Sequence, residues 1–273
     1  MGDVLAVGFF DGVHRGHRKI LEGATAALTF RNHPSEILTP ETAVSLLMPF
    51  DEKVAAIKEC GVRKVTALDF TKELQGISAS DFLAMLGDVK TVRCGANWRF
   101  GNGGEGDGEF LRRMGYEVEV VGYAEYNGAA ISSTRIREAI SHGFLADANA
   151  MLGRVWTLDG SVERGKGLGA KMGYPTVNIR LSEFSRLLKS GVYEVYVGGA
   201  HAVANFGYAP TMGADAWENR VLEIHFAGEL PDFSNGACRV GFVRFLRPEM
   251  KFNSIEALKA QISADCRAVF GER

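Results

Sequence analysis

The chain has 273 residues, 46% of them apolar, and a formal net charge of −2. This length and apolar content suffice for two ordinary cores, so we expect two domains. The near-neutral charge gives no basic field for nucleic acid, and no window of 18 apolar residues could span a membrane. We therefore expect small-molecule partners, neither nucleic acid nor a membrane, and a monomer by default.

The four cysteines, Cys60, Cys94, Cys238 and Cys266, are far apart in the sequence. They form no Cys-x-x-Cys pair and no His-rich cluster that could hold zinc, and no signal peptide precedes Val4. These features predict free thiols in a reducing cytoplasm.

The first predicted element is a buried strand that leads into a glycine-rich turn. Val4 to Val7 is a continuous apolar run, as expected for a parallel strand covered on both faces. Gly8 and Gly12 bracket the turn, and Gly16 opens a helix whose free N–H groups favour an anion. The spacing is neither Gly-x-Gly-x-x-Gly nor a P-loop, so those common fingerprints do not apply. The segment still predicts a phosphate-binding turn.

Two imidazoles follow this turn in the pattern His-x-Gly-His. His14 and His17 can both face one phosphate chain and stabilise the charge that develops on it. The alternative is that the two histidines only cap a turn.

The run from Gly8 to His17, Gly-Phe-Phe-Asp-Gly-Val-His-Arg-Gly-His, resembles the adenylyltransferase signature of the prokaryotic bifunctional riboflavin kinase / FAD synthetase family. The resemblance implies an α/β fold: a Rossmann-like nucleotidyltransferase domain with a parallel sheet, followed by a small antiparallel β-barrel kinase domain. It also implies catalytic roles for His14 and His17, and ATP or FMN contacts by the remaining motif residues Gly8, Phe10, Asp11, Gly12 and Gly16.

Strands and helices alternate through the first half of the chain. Apolar runs at 26–30, 65–70, 89–94 and 116–121 predict strands, and 51–60 predicts a helix. This βαβα alternation favours a parallel, doubly wound sheet.

Two loops of this half resemble further family segments. The turn at His33-Pro34 resembles one beside the nucleotide, which implies a contact by His33; a structural turn set by Pro34 is the alternative. The glycine-rich loop after the strand at 89–94 offers Asn97 as donor and acceptor, and Trp98 or Phe100 as an aromatic face for a ring. The alternative is a merely flexible loop.

That loop departs from the family pattern in two respects. Trp98 stands where Phe is usual. Asn102 and Gly104 stand where relatives often carry basic residues for the FMN phosphate.

Ser132-Ser133-Thr134 at a helix start, followed by Arg135 and Arg137, gathers hydroxyl, amide and guanidinium donors. Alone, this could be an ordinary helix cap. Together with His-x-Gly-His it resembles the second nucleotidyltransferase motif, which implies ATP contacts by Ser133, Thr134 and Arg137.

A change of pattern at Leu152-Gly153 predicts the domain boundary. We expect an FMN adenylyltransferase domain at 1–152 and a riboflavin kinase domain at 153–273, in which short β-like runs predict an antiparallel barrel and 254–270 predicts a final helix.

The second half opens with a glycine-rich segment from Arg164 to Asn178. Backbone amides and two lysines there can surround phosphates, while Thr176 and Asn178 present two oxygens on one face of a strand, as Mg²⁺ prefers. The segment resembles the riboflavin kinase motif, which implies ATP or riboflavin contacts by Gly165, Lys166, Gly167, Gly169, Lys171, Gly173, Pro175, Thr176 and Asn178. A turn and strand without a ligand is the alternative.

Two later segments complete the resemblance. It implies that Asn205, Gly207 and Thr211 lie beside the nucleotide. In the strand at 221–226, Leu222, Ile224 and Phe226 alternate with Glu223 and His225. Composition alone favours a solvent-exposed Glu223. The resemblance instead implies that Glu223 is the catalytic base.

The chain is therefore predicted to phosphorylate riboflavin to FMN and to adenylate FMN to FAD, with ATP as co-substrate and Mg²⁺ as cofactor. One alternative is a riboflavin kinase with weak or lost adenylyltransferase activity. A second alternative is a non-catalytic flavin sensor.

Overall fold

The computed structural model describes residues 3–163, 176–208, 220–226, 228 and 230–271. The chain divides into two compact units, Met1–Arg135 and Ile136–Arg273. Helix α8 (Leu145–Leu152) belongs to the second unit because Asn149 ties it to the barrel strands. The Asn149 amide donates to the Phe242 carbonyl at 2.9 Å, and its Oδ1 accepts from the Trp156 N–H at 2.8 Å.

The first unit is built on a five-stranded sheet. Its strands are β1 (Val4–Val7), β2 (Ala26–Phe30), β3 (Lys64–Leu68), β4 (Thr91–Gly95) and β5 (Glu117–Val121). They are all parallel and lie in the order β3-β2-β1-β4-β5, which is a doubly wound arrangement. The predicted Rossmann-like α/β domain is confirmed.

Six helices and a small hairpin surround this sheet in the described residues. They are α1 (Arg15–Leu21), α2 (Ser35–Leu38), α3 (Phe50–Glu59), α4 (Lys72–Gly76), α5 (Ala79–Leu83), α6 (Gly108–Arg113) and the hairpin of β6 (Glu125–Tyr126) with β7 (Ala129–Ala130). Helix α7 (Ser133–His142) follows and contains the division between the two units.

Strand β1 contributes to a separate core on each face of the sheet. Leu5 and Val7 belong to one cluster, whereas Ala6 packs with Ala27 and Ile57 in the other. Successive side chains of a strand point to opposite faces. A strand that is covered on both faces must therefore be apolar throughout, as this run is.

The second unit is a closed barrel of antiparallel strands. Its strands are β8 (Trp156–Glu163), β9 (Thr176–Leu181), β10 (Gly191–Val197), β11 (Ala200–Tyr208), β12 (Arg220–Phe226) and β13 (Ala237–Arg247). They close in the order β10-β11-β12-β9-β8-β13. The predicted barrel and C-terminal helix, α9 (Ile255–Phe270), are both confirmed.

Helix α9 covers part of the barrel's outer wall. Ile262 and Cys266 pack against Val192 and Val203 of the barrel. Ile255, the first residue of α9, is 62% exposed, so the contact with the barrel is made by later turns of the helix.

Two further observations concern the whole described chain. All four cysteines are free thiols, as predicted. Within the described ranges, every helix is too short or too polar to cross a bilayer.

An ion pair fastens α9 to the end of β13. Arg247 Nε donates to Asp265 Oδ1 at 3.0 Å and Arg247 Nη2 to Asp265 Oδ2 at 2.7 Å. Asp265 also accepts from the Gln261 amide at 3.0 Å. This two-pronged contact is largely shielded from water, with side-chain exposures of 18% for Arg247 and 8% for Asp265.

We expect Asp265→Ala to lower the free energy of unfolding of the second unit by about 3 kcal/mol, because it leaves a shielded guanidinium without its carboxylate. Urea-induced unfolding measures this change. Lys259→Ala, at an exposed position of the same helix, is the control and should shift the value by less than about 0.5 kcal/mol. Equal midpoints for Asp265→Ala and the unmodified chain would contradict the expectation.

Candidate active sites

A cleft of about 610 Å³ lies at the carboxyl ends of β1, β4 and β5. Ligands of open α/β sheets bind at this edge. The cleft brings together many of the residues predicted from the first half of the sequence, namely Gly8, Phe10, His14, Gly16, His17, His33, Asn97 and Ser133.

The two histidines of the turn stack on each other in this cleft. Their ring centroids are 3.6 Å apart with an angle of 18° between the planes. His14 precedes α1, and its Nδ1 accepts the His17 N–H at 3.2 Å. The prediction of free N–H groups at this helix start is therefore wrong for His17, because its N–H already donates to the His14 side chain. His14 caps the helix and lines the cleft, so the two interpretations of this pair are compatible.

The turn before these histidines has an unusual backbone. Phe10 and Val13 have positive φ angles of 58° and 38°, which side chains other than glycine rarely adopt. Neighbouring groups hold this conformation. The Asp11 carboxylate accepts the Leu47 N–H at 3.0 and 3.2 Å, and the Thr29 hydroxyl donates to the Phe9 carbonyl at 2.9 Å.

Asp11 and Gly12 do not belong to the cleft lining, although both were predicted as nucleotide contacts. Both are buried, and Gly12 takes a φ of 78° that suits glycine. In this structure, their evident contribution is to the shape of the turn.

His33 combines a turn contact with a position in the cleft. Its Nδ1 accepts the Ser35 N–H at 3.1 Å and lies 2.7 Å from the Ser35 hydroxyl. Its ring meets the Phe9 ring edge to face, at 4.7 Å between centroids. Both predicted interpretations of this turn are compatible with the geometry.

The loop after β4 has a defined structure. Trp98 stacks on Phe100 at 4.6 Å, and the backbones of Phe100 and Gly106 pair with each other. Gly101 has a φ of 76°, and a Cβ there would lie 2.7 Å from the Ala79 nitrogen. These contacts favour an ordered loop over the alternative of a merely flexible one.

A second, aromatic cavity of about 320 Å³ shares Pro34, Trp98 and Arg99 with the cleft. Phe30, Phe70 and Phe82 add to its wall. These three phenylalanines were not predicted as site residues. Phe30 ends β2 and Phe70 follows β3, so the rule that ligands bind at the carboxyl ends of strands could have found two of them.

The start of α7 connects with the turn. Ser133 donates its hydroxyl to the Asp11 carbonyl at 2.9 Å, whereas Ser132 caps the helix by accepting the Arg135 N–H at 3.2 Å. Thr134 is exposed and does not belong to the cleft lining. Arg137 lies one turn further along α7, beyond the division between the units.

In the second unit, polar side chains form a row across three strands of the barrel. Asn178 on β9 pairs with Glu223 on β12, which pairs with Asn205 on β11. Paired residues share one face of a sheet. Because Leu222 and Ile224 are fully buried, the row lies on the outer wall of the barrel.

A cavity of about 200 Å³ lies between this wall and α9. Glu223, His225 and Asn205 line its barrel side, and Arg247 and Asp265 line its outer side. Glu223 is half-buried, so the expectation of a freely exposed carboxylate does not hold.

His225 adds a buried polar atom to this cavity wall. The residue is 5% exposed, and its Nδ1 has no hydrogen-bond partner among the described residues. Burial lowers the pKa of His225, against the opposing charges of Glu223 and Asp265. The imidazole is therefore kept in its neutral form beside the carboxylate.

Gly207 provides space for a carboxylate on the barrel wall. A Cβ at this position would lie 1.9 Å from Glu249 Oε1, so any larger residue would displace Glu249. Glu249 belongs to the segment between β13 and α9 that borders the cavity. In this structure, the group that approaches Gly207 is therefore a side chain of the chain itself.

Oxygen donors for a hard cation meet near the start of β9. Thr176 pairs with His225 and Asn178 with Glu223, so hydroxyl, amide and carboxylate oxygens occupy one face of adjoining strands. Mg²⁺ prefers oxygen ligands and needs only one or two from the protein beside phosphates and water, so this donor set fits it. In the described ranges, no cluster of three His, Cys, Asp or Glu side chains could hold a metal ion.

Some predicted residues of the kinase half lie outside the described residues. They are Gly165, Lys166, Gly167, Gly169, Lys171, Gly173, Pro175 and Thr211.

Comparison with known proteins agrees with this arrangement of two sites. A family model described as FAD synthetase matches residues 1–135, and one described as Riboflavin kinase matches residues 152–270. A solved structure titled as a macrolide-efflux protein from Streptococcus pneumoniae has the same fold, with a TM-score of 0.88 at 26% identity over 100% of this chain and 95% of that chain.

Curated relatives named bifunctional riboflavin kinase/FMN adenylyltransferase match nearly the whole chain. The Escherichia coli K12 protein is 33% identical over 99% of this chain and 93% of its own length. The Pseudomonas fluorescens protein is 36% identical over 98% of this chain and 92% of its own length. The chain therefore belongs to the family of bifunctional riboflavin kinase/FMN adenylyltransferases.

Proposed function

We propose that the two activities of this family are divided between a riboflavin kinase domain at 153–273 and an FMN adenylyltransferase domain at 1–152. The observation that carries the kinase assignment is the half-buried Glu223, which faces a cavity beside Asn178 and Asn205.

We also propose a cytoplasmic location, which the four free thiols favour.

In the kinase reaction, the 5′-hydroxyl of riboflavin attacks the γ-phosphate of ATP and yields FMN and ADP. A hydroxyl holds its proton tightly, so a carboxylate base lowers the barrier. Glu223 has the position for that role, and Asn205 and His225 line the same cavity and would orient the substrate.

Thr176 and Asn178 would hold Mg²⁺ through their side-chain oxygens, and the bound ion would neutralise charge on the ATP phosphates. Their place next to His225 and Glu223 in the strand register supports this proposal. The glycine-rich residues 165–173, with Lys166 and Lys171, and Thr211 are proposed to contact ATP from the resemblance alone.

In the adenylyl reaction, a phosphate oxygen of FMN attacks the α-phosphate of ATP and releases pyrophosphate. This nucleophile is already an anion, so donors and positive charge matter more than a base. His14 and His17 line the cleft and would stabilise the charge on the transferred phosphate, with His33, Asn97 and Ser133 as further contacts. The aromatic cavity that adjoins the cleft has the character of a site for the flavin ring.

Glu223→Gln should reduce conversion of riboflavin to FMN by about 100-fold or more, because an amide cannot take the hydroxyl proton. Conversion of supplied FMN to FAD should continue. Chromatography of the flavins after incubation with ATP and Mg²⁺ measures both reactions. Glu183→Gln, at an exposed position of the same unit, is the matched control. Loss of both activities in folded protein would contradict the assignment.

The double substitution His14→Ala with His17→Ala should have the reverse effect. We expect a fall of about 100-fold or more in FAD formation from FMN, since two charge-stabilising groups are removed, with riboflavin phosphorylation unchanged. Release of pyrophosphate with FMN as the sole flavin measures this step. His142→Ala, at an exposed histidine outside the cleft, should leave both rates unchanged. Absence of pyrophosphate from the unmodified chain would instead favour a kinase that has lost adenylyl transfer.

Asn178→Ala should raise the Mg²⁺ concentration for half-maximal kinase activity by about tenfold, because one oxygen ligand is lost. A titration of Mg²⁺ at saturating ATP and riboflavin tests this. The Mg²⁺ dependence of FAD formation in the same protein is the internal control and should not move. An unchanged Mg²⁺ dependence of the kinase would argue against this ligand.

A further inference from the structure

Lys53 is a buried cation in the first unit, on the first turn of α3. The residue is 2% exposed. Its Nζ donates to the Phe30 carbonyl at 2.6 Å and lies 4.0 Å from the centre of the Phe9 ring. A second ring, that of Phe50, lies 5.5 Å away. Within the described part of the chain, Lys53 forms no ion pair within 4.0 Å.

Burying an ammonium group without a carboxylate partner is unfavourable. The desolvation lowers the pKa of Lys53 to about 8, with an opposing contribution from the Asp11 charge. A methionine would fill a similar volume without this cost. The charge itself therefore needs an explanation.

The ammonium contacts two segments of the candidate adenylyltransferase site. Phe9 belongs to the histidine-bearing turn and lines the cleft. Phe30 ends β2 and lines the aromatic cavity, and the chain continues from it directly to His33. The Phe9 ring meets the His33 ring at 4.7 Å, so Lys53, Phe9 and His33 form a continuous series of contacts that ends in the cleft.

We propose that Lys53 is a positioning residue for adenylyl transfer, whose ammonium holds the Phe9 ring and the end of β2 so that His33 faces the cleft. A cation attracts the face of an aromatic ring and thereby fixes the orientation of that ring. The turn that carries Phe9 needs such support, because Phe10 beside it has a φ of 58°. This inference rests on the proposed adenylyl transfer at the same site.

Other charged groups surround Lys53. Asp11 comes from the turn, and His33 lies beyond the Phe9 ring. The Arg31 guanidinium lies 5.5 Å from the centre of the Phe50 ring. Asp51 and Glu52 belong to the first turn of α3 itself.

Substitution by methionine removes the ammonium and keeps the length of the side chain. For Lys53→Met we expect kcat for FAD formation from FMN to fall by about tenfold, with KM for FMN and ATP little changed. Riboflavin phosphorylation, measured in the same preparation, should stay at its original rate. Lys58→Met, at an exposed position of the same helix, is the matched control and should change neither reaction.

The pH profile separates positioning from simple structural support. As pH rises through about 8, Lys53 loses its proton and its attraction to Phe9, so kcat for FAD formation in the unmodified chain should fall. Lys53→Arg keeps its charge at every working pH and should lack this descending limb.

Stability should change in the opposite direction over the same range. The folded-state pKa of Lys53 is depressed, so the cost of burying its charge is present below about 8 and disappears as pH rises toward 10.5. The Tm of the unmodified chain should therefore rise relative to that of Lys53→Arg between these pH values. A falling kcat with a rising relative Tm is the expected result.

Three outcomes would overturn the proposal. The first is an unchanged kcat for FAD formation in folded Lys53→Met, and the second is a flat pH profile in the unmodified chain. The third is an equal loss of both activities in Lys53→Met together with a lower Tm, which would show structural support alone. If the unmodified chain makes no FAD from FMN at any pH, the proposed function fails first, and this proposal fails with it.

Discussion

The alternation of side chains along a β-strand is the constraint that determines where both candidate sites lie. In the first unit, β1 is covered on both faces, so its side chains are committed to two cores and only its carboxyl end is available for a ligand. In the second unit, β12 faces the barrel interior with Leu222 and Ile224 and presents Glu223 and His225 on the outer wall. One site is therefore at a strand end and the other is on a strand face.

The two sites contain different kinds of residue because the two reactions use different nucleophiles. A riboflavin hydroxyl needs a base, and the barrel cavity contains a carboxylate next to a neutral imidazole. An FMN phosphate needs no base, and the cleft at the strand ends contains stacked imidazoles and, among the described residues, no carboxylate in its lining. Helix α9 matters for the site in the barrel unit because it covers the outer wall of the barrel and so encloses a cavity.

Local patterns predicted the parts of the fold that depend on local physics. The bounds of β1 and β2 match the apolar runs at 4–7 and 26–30, because burial on a sheet requires apolar residues in a short continuous or alternating run. The alternation around Glu223 likewise gave the correct faces of β12.

Contacts between distant segments were beyond that reasoning. The Asp11 carboxylate accepts the N–H of Leu47, which lies 36 residues further along the chain. The aromatic cavity collects Phe30 from β2, Phe70 from the loop after β3 and Phe82 from α5. The sequence around Lys53 is typical of a helix with an ordinary surface lysine. Only tertiary packing makes Lys53 a buried cation.

The attachment of α8 to the barrel has a consequence for dissecting the protein. Asn149 satisfies the N–H of Trp156 at the first residue of β8 and the carbonyl of Phe242 on β13. A barrel fragment that begins after Leu152 would lack Asn149. Both backbone groups would then lose this partner at the place where β8 pairs with β13. An excised barrel that is meant to fold alone should therefore retain α8, even though the matching Riboflavin kinase model begins only at residue 152.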